Sequence, residues 1–394
     1  MSLNVVNGVV QISNERRQGR AIRDAFAIEE TATYLNHGSY GAVPRVVAAA
    51  ADAWRARLDR QPVVFFQETL MPALRTAAAR LAPLVRAIGD DLVFVENATT
   101  GANAVLQSLR LKPGDTIVGT DHGYGAVRNA ARHVAERAGA ALVEATLPFP
   151  GTTPGGVVEA IAGAIDGRTR LVIVDHITSP TAIVLPVADI ARLCRQRGVP
   201  LLVDGAHAPG MLDLDVPAVG ADWYVGNAHK WLFAARGCGF LWAAPNARGE
   251  LHPTVISHGY GKGWHGEFDY TGTRDNSAWL AIDAALEFYE GLDPPWLRRR
   301  NAELAAEGAR IVAAAWGTEI LTPPGMAGSM TIVGLPVAVE PTREASRAAR
   351  AAIWARHRVE VPVMAFAGRC HVRLSAQIYN EEDDYRRLAA IYAR

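Results

Sequence analysis

Short apolar runs alternate with amphipathic stretches of helical length through the middle of the chain, from about residue 91 to 243. Strands that are apolar on both faces are typical of a mainly parallel sheet covered by helices on both sides. The seven runs are LVFVEN, DTIVGTD, AALVEATL, RLVIVDHI, VPLLVDGA, ADWYVGN and GCGFLWAA. The pattern therefore predicts an α/β protein with a mainly parallel seven-stranded sheet. The last two runs have a short link, which favours an antiparallel edge.

This alternation stops on both sides of the central region. Ahead of it we predict a helix over 9–28, a short strand and Gly-bounded loop over 34–44, and helices over about 44–60 and 68–87. Beyond about residue 270 the pattern is that of a smaller α+β unit. We expect three parts: an N-terminal helical segment that packs on the small domain (1–30), a large domain that contains the sheet and its ligand site (31–270) and a small C-terminal domain (271–394).

Composition excludes several classes of protein. The 40 basic and 40 acidic residues cancel, and no basic run suggests a nucleic-acid or anionic-membrane surface. No apolar segment has the length of a membrane span or of a signal-peptide core. Cys194, Cys238 and Cys370 lie far apart, which favours neither a metal site nor disulfides and fits a reducing compartment. We therefore expect a cytoplasmic protein without a metal, nucleic-acid or membrane partner.

Polar clusters follow five of the predicted strands at the point where each strand ends. Ligands bind outside the carboxyl ends of the strands in an open parallel sheet. The five clusters should therefore share one rim and form a site there. They are Asn97–Gly101, Asp121–Tyr124, His176–Ser179, Asp204–His207 and Asn227–Lys230.

Several side chains in these clusters have both a structural and a chemical interpretation. Asn97–Gly101 opens a helix, so its amides either bind phosphate or are simply capped. Asp204 ends an apolar strand, where it either caps the next turn or pairs with a cationic ring nitrogen. Lys230, one of three lysines in the chain, precedes Trp-Leu-Phe. It is either a snorkelling surface residue or a desolvated amine suited to Schiff-base chemistry.

Arg373 alternates with apolar residues in HVRLSAQ, near the end of the chain. An inward-facing arginine in a strand requires an anion. That anion is either a carboxylate of the protein, in a structural salt bridge, or a carboxylate of a ligand.

Taken together, these motifs resemble the fold-type I pyridoxal-phosphate enzymes of aminotransferase class V. Within that class the chain is most similar to the isopenicillin N epimerase-like group, over nearly its whole length. The resemblance implies the fold-type I transferase architecture, pyridoxal 5'-phosphate as cofactor and a homodimer with shared active sites. The motifs are YLNHGSYGAVP, VENATTG, DHGYGAV, DHITSPTAIVLPV, VDGAHAPG, GNAHKWL, YTGTRD and VRLSAQIYN.

The resemblance also implies a role for individual residues at the cofactor. Lys230 would carry the Schiff base, Asp204 would pair with the pyridine nitrogen, and His207 would lie near the phenolic oxygen. Either His122 or Tyr124 would cover one face of the ring, and Tyr124 is favoured. The phosphate would be held by Ala98, Thr99, Asn227 and His229, with Thr273 reaching the phosphate in the neighbouring subunit.

Two further roles follow from the same resemblance. Asn36 and Arg373 would bind the α-carboxylate of an amino-acid substrate. Ser179 stands where many relatives have Asn, so its contact with the phenolic oxygen stays open.

The shared chemistry would break a bond at the substrate α-carbon, with Lys230 carrying a proton. The motif set favours an epimerase-like reaction, and a C–S lyase or an aminotransferase remains an alternative. A desulfurase is disfavoured because Cys370 lies three residues from Arg373, on what reads as the same strand. The intact set of site residues argues against a non-catalytic binding module. An epimerase also needs a second base, for which residue type alone suggests His37, Tyr40, His258 and His265.

Overall fold

The computed structural model describes residues 18–393, together with the backbone of two short strands ahead of them. Its strands are β1 (Val5–Val6), β2 (Val9–Val10), β3 (Thr33–Tyr34), β4 (Leu92–Val95), β5 (Thr116–Thr120), β6 (Ala141–Ala145), β7 (Thr169–Asp175), β8 (Leu201–Gly205), β9 (Trp223–Asn227), β10 (Gly239–Ala243), β11 (Met330–Gly334), β12 (Val359–Glu360), β13 (Val363–Phe366) and β14 (Arg369–Ser375).

The α-helices connect and cover these strands. They are α1 (Arg20–Arg23), α2 (His37–Tyr40), α3 (Arg45–Arg60), α4 (Pro62–Val64), α5 (Leu70–Leu81), α6 (Ala98–Ser108), α7 (Gly125–Arg137), α8 (Pro154–Ala164), α9 (Val187–Arg197), α10 (Val216–Val219), α11 (Gly263–Phe268), α12 (Ser277–Leu280), α13 (Ile282–Glu290), α14 (Pro294–Trp316), α15 (Arg343–His357) and α16 (Glu382–Ala389). A π-helical turn, Phe65–Thr69, joins α4 to α5.

The central sheet has seven strands in the order β4-β10-β9-β8-β7-β5-β6. The pairs from β9 to β6 are all parallel, whereas β10 runs antiparallel to both β9 and β4. The mainly parallel seven-stranded sheet is thus confirmed. The antiparallel β9–β10 pair is also present, but β10 is not an edge strand, because β4 pairs with its outer side.

Successive residues of each central strand face opposite sides of the sheet. In β7, Val172 and Val174 enter one core, while Leu171 and Ile173 enter the other. The first core includes residues of α5 and α9, and the second includes residues of α6 and α7. This two-sided burial explains why the strands are continuously apolar in sequence. It also leaves the strand ends as the place where polar groups gather.

A smaller antiparallel sheet, in the order β11-β14-β13, has its own core with parts of α14, α15 and α16. Next to it, β12 pairs in parallel with β3, so the segment around residue 33 joins the C-terminal part of the chain. Helices α12 and α13 pack on α3 and α5, within the first core of the large sheet. The division at residues 30 and 270 stays a prediction.

The predicted N-terminal helix over 9–28 is wrong for the residues described. Val9–Val10 is a strand that pairs antiparallel with Val5–Val6, and the helix there is limited to Arg20–Arg23. The intervening residues 11–17 lie outside the described part of the chain. Within residues 18–393, no helix is both long enough and apolar enough to cross a bilayer.

Candidate active site

Two aspartates end neighbouring parallel strands at the same level. Asp175 of β7 and Asp204 of β8 are register partners, and both are buried. Oδ1 of Asp204 accepts a hydrogen bond from the amide of Ala206 at 3.0 Å. Its other oxygen, Oδ2, is buried and has no partner among the described residues. A buried carboxylate oxygen without a partner is costly, so this atom is prepared for a cationic group.

Lys230 follows β9 and brings its amine to the same rim. Its Nζ lies 3.2 Å from Nε2 of His207. Burial lowers the pKa of Lys230 to about 7, with a further contribution from the charge of Arg373, while Asp204 and Asp175 oppose the change. Burial disfavours an ammonium ion because it removes the hydration of the charge. The snorkelling surface lysine is therefore not what the structure shows, and a substantial fraction of the amine is neutral near pH 7.

His207 is held in one tautomer next to this amine. Its Nδ1 accepts a hydrogen bond from Nε1 of Trp231 at 3.4 Å, and an indole nitrogen can only donate. Burial, together with the charge of Lys230, holds the pKa of His207 well below its usual value. The neutral ring then carries its hydrogen on Nε2, where it points at the lone pair of the Lys230 amine.

The loop that contains the YLNHGSYG motif holds the backbone of Lys230. The carbonyl oxygen of Lys230 is 2.9 Å from Nε2 of His37, whose Nδ1 contacts the Tyr379 hydroxyl at 2.8 Å. In the same loop, Gly41 has a φ of +69°, and a Cβ there would lie 2.2 Å from the carbonyl oxygen of His229. Only glycine permits this approach. The YLNHGSYG motif thus fixes the backbone that carries the lysine.

The start of α6 offers a small anion cradle. Asn97 caps this helix by accepting the amide of Thr100 at 3.0 Å, and Asn227 accepts the amide of Ala98 at 2.8 Å. The amide of Thr99 lies between them without a partner in the described chain. The first amides of a helix have no intrahelical acceptor and favour phosphate. The helix start is therefore both capped and suited to phosphate.

His229 and Thr273 lie in different surroundings. Nδ1 of His229 donates to the carbonyl of Cys238 at 3.0 Å, which leaves Nε2 on the opposite edge of the ring. Burial and the charge of Lys230 lower the pKa of His229 to about 4. Thr273 is exposed and contacts the Tyr270 hydroxyl at 3.2 Å. Its predicted role in a neighbouring subunit stays a prediction.

His122 and Tyr124 face different surroundings. His122 is fully buried, bonds to Oγ1 of Thr181 at 2.7 Å, and has its ring centroid 4.4 Å from that of Phe366. Tyr124 is half-buried, and its amide donates to Oδ1 of Asp175 at 3.2 Å. Burial and the charge of Asp204 raise the pKa of Tyr124. The choice of Tyr124 over His122 as the aromatic cover of the site stays a prediction.

Arg373 is buried opposite Lys230 and has spare hydrogen-bonding capacity. Its Nη1 donates to the carbonyl and the hydroxyl of Ser179, at 2.7 and 3.2 Å, and its Nη2 donates to the hydroxyl of Ser39 at 2.9 Å. Nε is buried without a partner. No carboxylate of residues 18–393 forms a salt bridge with it, so the structural salt bridge considered from the sequence is not present. Burial lowers the pKa of Arg373 to about 10, and the side chain stays charged.

Ser179 and Asn36 make contacts other than those the resemblance suggests. Ser179 bonds to Arg373 through both of its oxygens. Asn36 is buried and uses Nδ2 to donate to Oε1 of Glu360 at 2.8 Å. One hydrogen of this amide is therefore taken by the protein itself.

Two candidates for a second base are already engaged by groups of the protein itself. His37 is fully buried, both of its ring nitrogens have partners, and burial lowers its pKa to about 3. Nε2 of His265 is 3.0 Å from the backbone oxygen of Asp90. Part of the Gly-rich segment 258–266 belongs to helix α11, and its Gly261 amide donates to Glu267 at 3.2 Å.

The thiols take no part in the site as nucleophiles. Cys370 lies on β14, the strand of Arg373, with its side chain in the small-domain core. Burial raises the pKa of Cys194 to about 12 and that of Cys238 still further. A thiol that stays protonated is a poor nucleophile.

Three residues of the site were missed from the sequence: Asp175, Ser39 and Glu360. Asp175 had a usable signal, because LVIVD ends as PLLVD does, with an aspartate after an apolar strand. Ser39 and Glu360 had none, since their partners are more than 300 positions away in the chain.

Comparisons with known proteins agree with this geometry. The aminotransferase class V family model matches residues 35–388. A probable chloroplastic L-cysteine desulfhydrase of Arabidopsis thaliana is 34% identical, over 90% of this chain and 81% of the relative. An isopenicillin N epimerase of Amycolatopsis lactamdurans is 35% identical, over 93% of this chain and 96% of the relative.

A solved structure of the cystine C–S lyase C-DES has the same fold. It superposes with a TM-score of 0.80 at 23% identity, covering 92% of this chain and 97% of that one. The strand-end site and the family match together assign the chain: it belongs to the aminotransferase class V family of pyridoxal-phosphate-dependent enzymes.

Proposed function

We propose that this enzyme catalyses β-elimination on a small sulfur-bearing amino acid, as a pyridoxal-phosphate-dependent C–S lyase. The observation that carries the proposal is the Lys230 amine, which is buried, has its pKa lowered to about 7 and lies beside the His207 imidazole, which burial keeps unprotonated. Elimination needs one base, which takes the α-proton and returns it to the leaving group. The site described supplies one such base.

The residues present suit the cofactor. The unpartnered Oδ2 of Asp204 fits a protonated pyridine nitrogen, the amide of Thr99 fits a phosphate, and Lys230 follows β9, the strand that pairs with the strand of Asp204. When bound there, pyridoxal phosphate supplies an electron sink for a carbanion at the substrate α-carbon. The ring cover would be Tyr124, with His207 on the side of the phenolic oxygen.

The chain's own residues would act in a simple order. Arg373 binds the α-carboxylate and fixes the α-carbon near Lys230. The neutral amine of Lys230 takes the α-proton, and the electron pair of that C–H bond forms a Cα=Cβ bond as the Cβ–S bond breaks. The sulfur leaves with a proton from the Lys230 ammonium. Hydrolysis of the unsaturated product gives a 2-keto acid and ammonium.

The choice of sulfur as leaving group is supported by relatives. Two plant relatives, named as a probable L-cysteine desulfhydrase of Arabidopsis thaliana and a putative one of Oryza sativa, are 34% and 35% identical to this chain. A thiolate also leaves without help from a strong acid, which fits a site whose imidazoles are neutral.

The decisive experiment incubates the pyridoxal-phosphate-loaded enzyme with L-cysteine, L-cystine and S-methyl-L-cysteine in deuterated water. We expect a 2-keto acid, ammonium and a sulfur product in equal amounts. Any recovered substrate should contain α-deuterium without inversion. Lys230→Ala is the negative control. Absence of the keto acid with every sulfur substrate contradicts the proposal.

Epimerisation is the second candidate, because three tyrosines, Tyr34, Tyr40 and Tyr124, lie within electrostatic range of Arg373. Two relatives named isopenicillin N epimerase, of Amycolatopsis lactamdurans and Streptomyces clavuligerus, are each 35% identical. A tyrosine hydroxyl could return the proton to the opposite face. Inverted, α-deuterated substrate without keto acid, abolished by Tyr40→Phe or Tyr124→Phe, would establish this alternative.

We further propose that the enzyme is a homodimer in which Thr273 completes the neighbouring phosphate site. The exposure of Thr273 within one chain supports this arrangement. Mixing Lys230→Ala subunits with Thr273→Arg subunits should restore activity, since hybrid dimers contain one intact site. Monomers at micromolar concentration by light scattering would contradict it.

A further inference from the structure

Three hydrogen bonds connect the carboxylate-binding arginine to a buried carboxylate beside the small domain. Nη2 of Arg373 donates to Oγ of Ser39 at 2.9 Å, and that hydroxyl donates to Oδ1 of Asn36 at 2.5 Å. Nδ2 of Asn36 donates to Oε1 of Glu360 at 2.8 Å. Glu360 is itself paired with Arg350, whose Nε donates to Oε1 at 2.8 Å. We call the chain Arg373–Ser39–Asn36–Glu360 the relay.

The direction of every bond in the relay is fixed by chemistry. A guanidinium can only donate and a carboxylate can only accept. Ser39 must therefore turn a lone pair to Arg373 and its hydrogen to Asn36. The amide of Asn36 must in turn present its oxygen to Ser39 and its nitrogen to Glu360. Aligned hydrogen bonds polarise one another, so the hydroxyl oxygen facing Arg373 becomes a better acceptor.

This arrangement leaves one part of Arg373 available. Ser179 holds Nη1 and Ser39 holds one hydrogen of Nη2, while the buried Nε has no partner in the described chain. Nε and the near hydrogen of Nη2 point along the same edge of the guanidinium. Two parallel N–H groups of this kind bind a carboxylate in a bidentate pair. The unpartnered Nε and the singly bonded Nη2 thus leave this edge of the arginine for the ligand.

We propose that Ser39 is a positioning residue for recognition of the substrate carboxylate, and that Asn36 acts through Ser39 rather than as a direct substrate ligand. The proposal rests on the amino-acid specificity proposed above and on the bound cofactor, but not on which bond the enzyme breaks. It assigns the YLNHGSYG loop two tasks: the backbone of Lys230 is held by His37, and Arg373 is oriented by Ser39.

The test compares two unreactive amines that differ by a carboxylate, L-alanine and ethylamine. Their dissociation constants are read from the change in visible absorption of the pyridoxal-phosphate-loaded protein, without turnover. Ser39→Ala should weaken binding of L-alanine about tenfold and leave ethylamine within about twofold, because a hydrogen bond to a charged group is lost. Ser39→Thr keeps the hydroxyl and should restore most of the affinity.

Ser346→Ala is the matched control. Ser346 is buried, whereas Ser39 is partly buried, and the Ser346 hydroxyl donates to the backbone oxygen of Arg343, within α15. Equal effects of Ser39→Ala on both amines, or no effect on L-alanine, overturn the proposal. A wild-type protein that binds ethylamine as tightly as L-alanine overturns the role of Arg373 and the relay with it. Failure of the lyase assay alone leaves these binding results intact.

A double-mutant cycle tests the role of Asn36. If Asn36 acts through Ser39, Asn36→Ala combined with Ser39→Ala should bind L-alanine no more weakly than Ser39→Ala alone. Additive losses would mean that Asn36 contacts the substrate itself, which contradicts the relay. If Asn36→Ala does not fold, the Ser39→Ala and Ser39→Thr pair still decides the proposal.

Discussion

The two sides of the site are built in different ways. On the side of the large sheet, Asp204 and Lys230 are ionisable groups at strand ends, and burial moves the pKa of each towards neutrality. On the side of the small domain, Arg373 is surrounded by neutral hydroxyls and carbonyls of Ser39 and Ser179. The first side thus contains groups whose pKa is shifted by burial, and the second contains one fixed positive charge.

This difference indicates a division of labour. Groups whose pKa lies near neutrality exchange protons easily, whereas a buried arginine stays charged at every working pH. We therefore expect kcat to depend mainly on the sheet side and the affinity for amino acids to depend mainly on the small-domain side. Variants on the two sides should separate these two quantities.

The largest effect is expected for Lys230→Ala. Removal of the base should lower kcat at least about a thousandfold, because the neighbouring imidazoles, whose pKa burial lowers, are much weaker bases. Steady-state kinetics with L-cysteine measures this loss. Lys112→Ala, at an exposed turn, is the matched control and should behave as the wild type. A residual kcat above one tenth of the wild-type value would remove Lys230 from the mechanism.

The next largest effect on kcat is expected for the register partners Asp204 on β8 and Asp175 on β7, which should differ from each other. Asp204→Asn should lower kcat about a hundredfold, because the unpartnered oxygen then no longer stabilises a cation. Asp175→Asn should cost less, since its amide oxygen can still accept the N–H of Tyr124. Parallel kinetics and pyridoxal-phosphate titrations check this order. A greater loss of kcat in Asp175→Asn than in Asp204→Asn would mean that Asp175, and not Asp204, contacts the pyridine nitrogen.

Arg373→Gln tests the other side of the site. We expect KM for an amino acid to rise about thirtyfold with a much smaller change in kcat, because a bidentate charged pair is lost. Arg386→Gln, on the exposed surface, serves as the comparison. An unchanged KM together with a large fall in kcat would contradict the proposed separation of binding from proton transfer.

A smaller effect is expected on the pH dependence of stability of the apoprotein. The pKa of Lys230 falls from 10.5 to about 7 on folding, so between these values the unfolded chain binds more protons. The free energy of unfolding should therefore rise with pH above about 7 through this group. Urea titrations at pH 7 and 9 should show a smaller rise for Lys230→Met than for the wild type. Identical slopes would mean that the amine is charged in the folded protein.

The smallest effect is expected for Cys370→Ala. Its side chain lies in the small-domain core beside β13, so kcat should stay within about twofold while the thermal midpoint falls by a few degrees. Activity and melting of the purified variant measure both. Loss of all turnover would instead support Cys370 as a nucleophile.

Residues near one another in sequence were predictable, whereas residues joined by the tertiary fold were not. Lys230, His229 and Asn227 follow one strand, so the motif shows them together. The position of β10 between β4 and β9 could not be predicted, because the local sequence does not show which strand pairs with the second edge of β10. The hydrogen bond from Asn36 to Glu360 could not be predicted either, because hydrophobic periodicity gives no information about a contact between residues 324 positions apart.

The pairing of β3 with β12 has a consequence for biosynthesis. Tyr34 emerges from the ribosome early, but its strand partner, Glu360, is made more than 300 residues later. Contacts between residues so far apart in sequence form late, because the entropy cost of closing a long loop precedes the favourable free energy of the contact. The large sheet can thus assemble with Asp204 and Lys230 in place while the amino-acid clamp is still missing. During synthesis the protein should acquire its capacity for cofactor before its capacity to select a carboxylate.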